Sequence, residues 1–265
     1  MSGPSPSAAP DRLRLVQPRR GPLERLGGHV RDLFIRCFPI HAHSRSGLVV
    51  PIWNRTQRRV YERVFVEDMY PLDRHRGLIA GDTPTVLDIG AHTGLFALSV
   101  ADRWPRARIH LFEPVPHLAR RIADLARLNG LAERWLVELA AVDVGSGEST
   151  LFTTRTPLGA SLVCDKAVAV GLRGAMRVRT VGLADHCAAH RLDGFAIIKL
   201  DAEGHELPIL DSALPIIARA RMIFIRVFPP RSTREAVAKR LAAHGFAEAG
   251  EDQRGGDEHL FVRVD

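Results

Sequence analysis

The chain has 265 residues, 46% of them hydrophobic, enough for one large domain with a real core and a shorter extension beside it. Its formal charge of +7 is unevenly distributed: residues 1–59 carry 11 arginines, no lysine and 3 acids, a net +8, which leaves the remainder at −1. A nucleic-acid enzyme would spread basic residues around its cleft, so this balance argues against DNA or RNA as substrate, and no apolar run approaches the ~18 residues of a stable membrane insertion.

Residues 1–22 are rich in Pro, Ser and Arg without periodicity and read as a disordered tail. Leu23, Leu26, Val30, Leu33, Phe34 and Cys37 recur at helical spacing, with arginines 25, 31 and 36 between them. That predicts a helix with a basic outer side. Residues 41–57 read as loop. His41 and His43 could ligate a metal, but no third ligand lies near in sequence, and no metal site is assigned. A helix followed by a loop is expected over 57–80, so that 23–80 form a helical extension ahead of a domain at 81–265.

From 81 onward the pattern alternates. Strands are predicted at 85–89, 109–113, 135–142, 195–201 and 221–228, and helices at 94–104, 116–129, 207–219 and 232–244. A closing pair of short strands is expected near 246–249 and 259–264, and Gly145, Gly147 and Gly159 mark a turn or hairpin insertion over 145–162. Such alternation predicts an α/β fold with a mainly parallel central sheet and helices on both faces. Ligands bind these sheets beyond the carboxyl ends of the strands.

Residues 85–113, TVLDIGAHTGLFALSVADRWPRARIHLFE, read as strand, glycine turn, helix, strand, acid. Gly90 and Gly94 would let the backbone come close to a ligand, and Glu113 would accept the two hydroxyls of a ribose. Asp88 and Glu113 are 25 positions apart, close to the ~20-residue gap expected for such an acid. The turn is G-x-x-x-G with His92 inside it, not the G-x-G-x-x-G of a dinucleotide site, and Asp88 would repel a diphosphate. A ligand with a ribose, an amino acid and no phosphate fits, and S-adenosylmethionine is such a ligand. A glycine turn in another α/β protein, such as an NAD-dependent dehydrogenase, is the competing reading.

A second cluster lies in FAIIKLDAEGHELPIL, residues 195–210, with five ionisable side chains in eight positions. Lys199 sits inside an apolar strand, where an ammonium needs a partner. Asp201 is two residues on and on the same face, with Glu203 and Glu206 also within reach. Asp201 is the first choice for contact with an acceptor, Lys199 its neighbour and His205 a candidate base, while Glu203 and Glu206 read as structural. Three cysteines, Cys37, Cys164 and Cys187, are far apart and form no C-x-x-C, as in a reduced, cytoplasmic protein.

The chain resembles the FkbM-type branch of the class I S-adenosylmethionine-dependent methyltransferases. The resemblance is carried by VLDIGAHTGLFALSVA, HLFEPVPHLARRI, LNGLAERWLVELAAVDVGSGESTLF and, most specifically, IIKLDAEGHELPIL, with its K-x-D-x-E-G-x-E, and covers roughly residues 60–228. It implies a Rossmann-like methyltransferase fold and O-methylation of a hydroxyl on a polyketide, a sugar or another secondary metabolite. It also implies that Asp88, Gly90 and Glu113 belong to the donor site and that Asp143 approaches the adenine. One departure stands out. Members often carry an acid after the strand at 221–225, as in I-E-x-H, and this chain has Arg226. That points to an acidic acceptor or to lost activity. An Mg²⁺-assisted methyltransferase using Asp201 and a second carboxylate, and a non-catalytic S-adenosylmethionine-binding protein, stay open. Acceptor identity and oligomeric state are not written in the sequence.

Overall fold

The four inner strands of the central sheet are short, mostly apolar runs buried along nearly their whole length, as parallel strands covered on both faces must be. The computed structural model describes residues 40–154, 160–169, 171–250 and 257–264. The expected tail at 1–22 and basic helix at 23–38 lie outside these.

The described chain opens with a hairpin of β1 (Ile40–His43) and β2 (Val49–Ile52), then helix α1 (Arg55–Tyr61). Next come β3 (Thr85–Ile89), α2 (Leu95–Arg103), β4 (Arg108–Phe112), α3 (Pro116–Leu128) and β5 (Trp135–Glu138). An insertion follows, formed by β6 (Ala141–Asp143), β7 (Gly147–Thr154), α4 (Cys164–Ala169) and β8 (Leu172–Gly182), and it leads into α5 (Leu183–His190). The chain closes with β9 (Ile197–Leu200), α6 (Glu206–Ile217), β10 (Met222–Arg226), α7 (Arg234–Ala242), β11 (Phe246–Glu248) and β12 (Glu258–Arg263).

Seven strands form the central sheet in the order β11-β12-β10-β9-β3-β4-β5. Only β12 runs against the rest. The chain steps outward from β3 to β4 to β5, then crosses back to place β9 on the other side of β3. The carboxyl ends of β3 and β9 therefore flank a topological switch point, where an open sheet leaves a crevice.

Each helix is ordered by the face it buries. In α3, Pro116 occupies the first turn, where its missing N–H costs nothing, and Leu118, Ile122, Leu125 and Ala126 form the buried stripe. One apolar layer joins α2 and α3 to Trp104, Ile109 and Phe224, and takes in Tyr61, Tyr70 and Leu72 from the segment before the first sheet strand. The opposite layer joins α5, α6 and α7 to Leu87, Phe112 and Ile198. Among the described residues no helix is long and apolar enough to cross a membrane.

Several boundaries differ from the sequence reading. The apolar run at 135–142 is not one strand. It breaks after Glu138, and β6 leaves the central sheet to pair with β8 in a separate sheet of order β6-β8-β7. Continuous hydrophobicity cannot reveal a change of sheet, because both halves are needed for burial. The insertion is also larger than 145–162: β7 pairs with β8 from Gly147↔Thr180 onward. β8 carries Arg173, Arg177 and Arg179 on its open side, which masked it as a strand. Residues 41–57 are not simply loop but begin with the β1–β2 hairpin, and α1 starts at Arg55 because the Asn54 side chain caps it through Gln57 N.

Candidate functional site

The turn after β3 is built on two left-handed glycines, Gly90 at φ 71° and Gly94 at φ 76°, with His92 between them at φ 54°. The reason for Gly90 is internal. A Cβ there would lie 2.0 Å from the backbone oxygen of Asp201, so the turn can close against β9 only without a side chain. Gly90 still borders the cleft. Gly94 does not: a Cβ there would meet Leu125 and Ile122 of α3 at 3.4–3.5 Å, and its role is conformation and helix packing.

Glu113 follows β4 and faces the turn. One carboxylate oxygen accepts the His92 N–H at 2.8 Å and the other the Val115 N–H at 2.9 Å. Each oxygen keeps a further lone pair. The side chain is 5% exposed. Burial pushes its carboxyl up to about 7, against the pull of those two N–H groups. His92 pairs by its backbone with Glu113, which holds the uncommon left-handed residue in position. Burial lowers the His92 imidazole to about 4, so it is neutral near pH 7.

Lys199 does not pair with Asp201, as its spacing suggested. In the β3–β9 register Lys199 lies beside Asp88, and its ammonium donates to Asp88 Oδ1 at 3.1 Å, to the Ile89 carbonyl at 3.2 Å and to the Gly90 carbonyl at 2.9 Å. Asp88 is fully buried and Lys199 is 6% exposed. Burial opposes the Lys199 charge, yet Asp88, Asp201 and Glu258 outweigh it and hold its pKa above the usual value. The pair therefore pins the glycine turn from beneath, and neither residue lines the cleft.

Asp201 lies just past β9 and borders the cleft, as does Arg226 at the end of β10. The Arg226 guanidinium is 3.7 Å from Asp201 Oδ2, with the two side chains 27% and 17% exposed. It also lies over the Phe228 ring at 5.0 Å. Asp201 Oδ1 is buried with no hydrogen-bond partner among the described residues. Behind this pair stand Tyr70, pushed up by burial and then by Glu258, and Glu258 itself, raised by burial to about 7. The sequence reading missed both. Tyr70 comes from before the sheet and Glu258 from its last strand, so no local motif links them to Asp201.

Asp143 and His205, read from separate stretches, meet: His205 Nε2 is 2.8 Å from Asp143 Oδ1. His205 borders the cleft and Asp143 stands behind it. Glu206 is structural, accepting the Ala202 and Gly204 N–H groups and the Ser232 hydroxyl while fully buried. The insertion completes the wall. Leu151 and Leu162 line the cleft together with Leu118 and Val142, and the Ser161 hydroxyl donates to the Glu203 carbonyl at 2.7 Å. The result is an open cleft beyond the carboxyl ends of β3, β4 and β9. Its lining combines apolar side chains, the buried Glu113 carboxylate and the Asp201–Arg226 pair.

The sequence profile of the methyltransferase FkbM domain matches residues 88–251. The crystal structure of methyltransferase FkbM from Methylobacillus flagellatus KT aligns with a TM-score of 0.50 and 16% identity, over 70% of this chain and 45% of that one, a likeness of fold. Fibrillarin from Aeropyrum pernix, solved with S-adenosyl-L-methionine bound, aligns with a TM-score of 0.40 and 13% identity over 68% of this chain and 66% of that one. The AMB antimetabolite synthetase AmbE of Pseudomonas aeruginosa is 44% identical over 69 residues, 26% of this chain. The matched stretch spans only 3% of AmbE.

Proposed function

Since the chain belongs to the FkbM methyltransferase family and is an S-adenosylmethionine-dependent enzyme, we propose that it methylates a hydroxyl oxygen of a small organic acceptor in the cleft between Glu113 and Arg226. The residues present suit the donor. Glu113 offers two carboxylate oxygens to a ribose in a cleft also lined by Phe112, Leu118, Val142 and Leu151. His92 is neutral near pH 7 and adds no cation to a cleft that must hold a sulfonium.

The observation that carries the acceptor assignment is the Asp201–Arg226 pair in the same cleft as Glu113. The bound donor supplies a methyl group already activated on sulfur, so alignment provides much of the rate. Asp201 lines the cleft, where its carboxylate can accept the proton of an incoming hydroxyl. Arg226, 27% exposed, can attract an acidic group of the acceptor without leaving Asp201. Lys199 then acts by positioning the Gly90 turn. His205, its Nε2 taken by Asp143, shapes the wall.

The ion pair to Arg226 favours this metal-free reading over one with Mg²⁺ between Asp201 and a second carboxylate. The likeness to an antimetabolite synthetase supports a secondary-metabolite acceptor, and the −1 charge of residues 60–265 supports a small molecule over a nucleic acid. The free thiols of Cys164 and Cys187 suit a cytoplasmic setting. Within this reading the donor-binding domain begins near Gly81, and the described part of the extension packs into its core through Tyr61 and Tyr70.

The test is transfer of a labelled methyl group from S-adenosylmethionine to a panel of hydroxylated carboxylic acids and their neutral esters. Asp201→Asn should lower turnover about 10²-fold or more while S-adenosylhomocysteine affinity holds. Equal turnover in the variant would remove Asp201 from the chemistry.

A further inference from the structure

Away from the cleft, a second polar cluster forms where α5 lies over the outer strands of the central sheet. His186 and His190 are four residues apart, on one face of α5. Glu138 ends β5 beneath them. One ligating atom from each of the three lies within 4.8 Å of the other two. They border a cleft of about 320 Å³ that is distinct from the donor cleft. The methyl-transfer reading uses none of the three.

The geometry points to a divalent transition-metal site at Glu138, His186 and His190, suited to Zn²⁺. Two imidazoles and one carboxylate are a ligand set this ion accepts, with water completing a tetrahedron. His190 is exposed, which leaves that fourth position open to solvent. The surroundings supply the outer contacts such sites need. His186 Nε2 already meets Nδ1 of His110, on β4, at 2.9 Å. Ligation through Nδ1 would keep this contact as the hydrogen bond that orients a ligating imidazole. Arg179 holds one carboxylate oxygen of Glu138, and among the described residues the other carries no hydrogen bond or ion pair. Bound there, the ion would tie α5 to the end of β5, next to the point where the Glu113 N–H bonds the Glu138 carbonyl at 3.1 Å.

Calorimetric titration of the chelator-treated full chain with Zn²⁺ tests this. The wild type should bind one ion with a dissociation constant in the micromolar range or below. His190→Gln, on an exposed residue and so tolerated by the fold, should weaken binding at least ~10-fold, and Glu138→Gln should do the same. Arg179→Gln should tighten it, since a competing cation leaves the carboxylate. No zinc binding by the wild type, or equal binding by wild type and a His186→Gln/His190→Gln double variant, would overturn the assignment.

Discussion

Lys199→Met removes a charge from the centre of the fold while keeping the length of the side chain. The wild-type ammonium is 6% exposed and donates to Asp88 Oδ1, the Ile89 carbonyl and the Gly90 carbonyl at 2.9–3.2 Å. After the change Asp88, fully buried, keeps its carboxylate with no cation against it. Breaking one side of a buried pair in this way costs about 3–5 kcal/mol, a large part of the ~5–15 kcal/mol that holds a domain together. The two carbonyls also lose their donor, so the Gly90 turn should loosen and donor affinity should fall with stability. Urea unfolding gives the first quantity through the midpoint at constant slope, and titration with S-adenosylhomocysteine gives the second. The double variant Asp88→Asn/Lys199→Met removes the orphaned charge and should recover most of the loss. A loss below about 1 kcal/mol in the single variant, or a collapse of turnover with stability and donor affinity intact, would refute the positioning role and return Lys199 to the chemistry.

Two further outcomes concern Glu113. Glu113→Ala removes both acceptors for the ribose, and at about 1.5–3 kcal/mol for hydrogen bonds to a charged group donor binding should weaken roughly 10- to 150-fold, read by calorimetry at pH 8. The pH response follows from the Glu113 carboxyl at about 7. The folded chain holds a proton there that the unfolded chain has released from the ordinary carboxylate range upward. Stability of the donor-free protein should therefore be highest below that range and fall as pH rises to about 7, by up to about 3 kcal/mol from this group. Glu258, also at about 7, acts in the same direction. Donor binding needs the charged form of Glu113, so its affinity should rise up to tenfold per unit below pH 7 and level off above it. In Glu113→Gln that rise should vanish. A flat affinity profile in the wild type would contradict the assignment of Glu113 to the ribose.

The central sheet was legible because its signal is local. Val86 to Ile89, Ile109 to Phe112, Ile197 to Leu200 and Met222 to Ile225 are short, mostly apolar runs that end in turns or charges, and each became a parallel strand. Asp88, Gly90 and Glu113 could be found because strand ends, glycine turns and a terminal acid occur in a fixed order along the chain. Partnerships were harder to read. Lys199 and Asp88 are 111 positions apart and meet only through the β3–β9 register, and the contact between Asp143 and His205 spans 62. Gly90 was expected to make room for a ligand and instead makes room for the Asp201 carbonyl, a neighbour that no single-strand pattern reveals. The break after Glu138 was hidden for a similar reason: a strand that changes sheets stays apolar. His186 and His190 carry an i, i+4 signal, but their third partner, Glu138, lies on a strand far earlier in the chain.

The most direct test is calorimetric titration of the wild-type chain with S-adenosylhomocysteine, with NAD as the control. The account predicts one molecule bound per chain in the micromolar range and no heat from NAD, because the turn is G-x-x-x-G, not G-x-G-x-x-G, and the carboxylate of Glu113 faces it. Binding of NAD, or no binding of S-adenosylhomocysteine, would contradict the assignment of the cleft between Glu113 and Asp201 to the methyl donor.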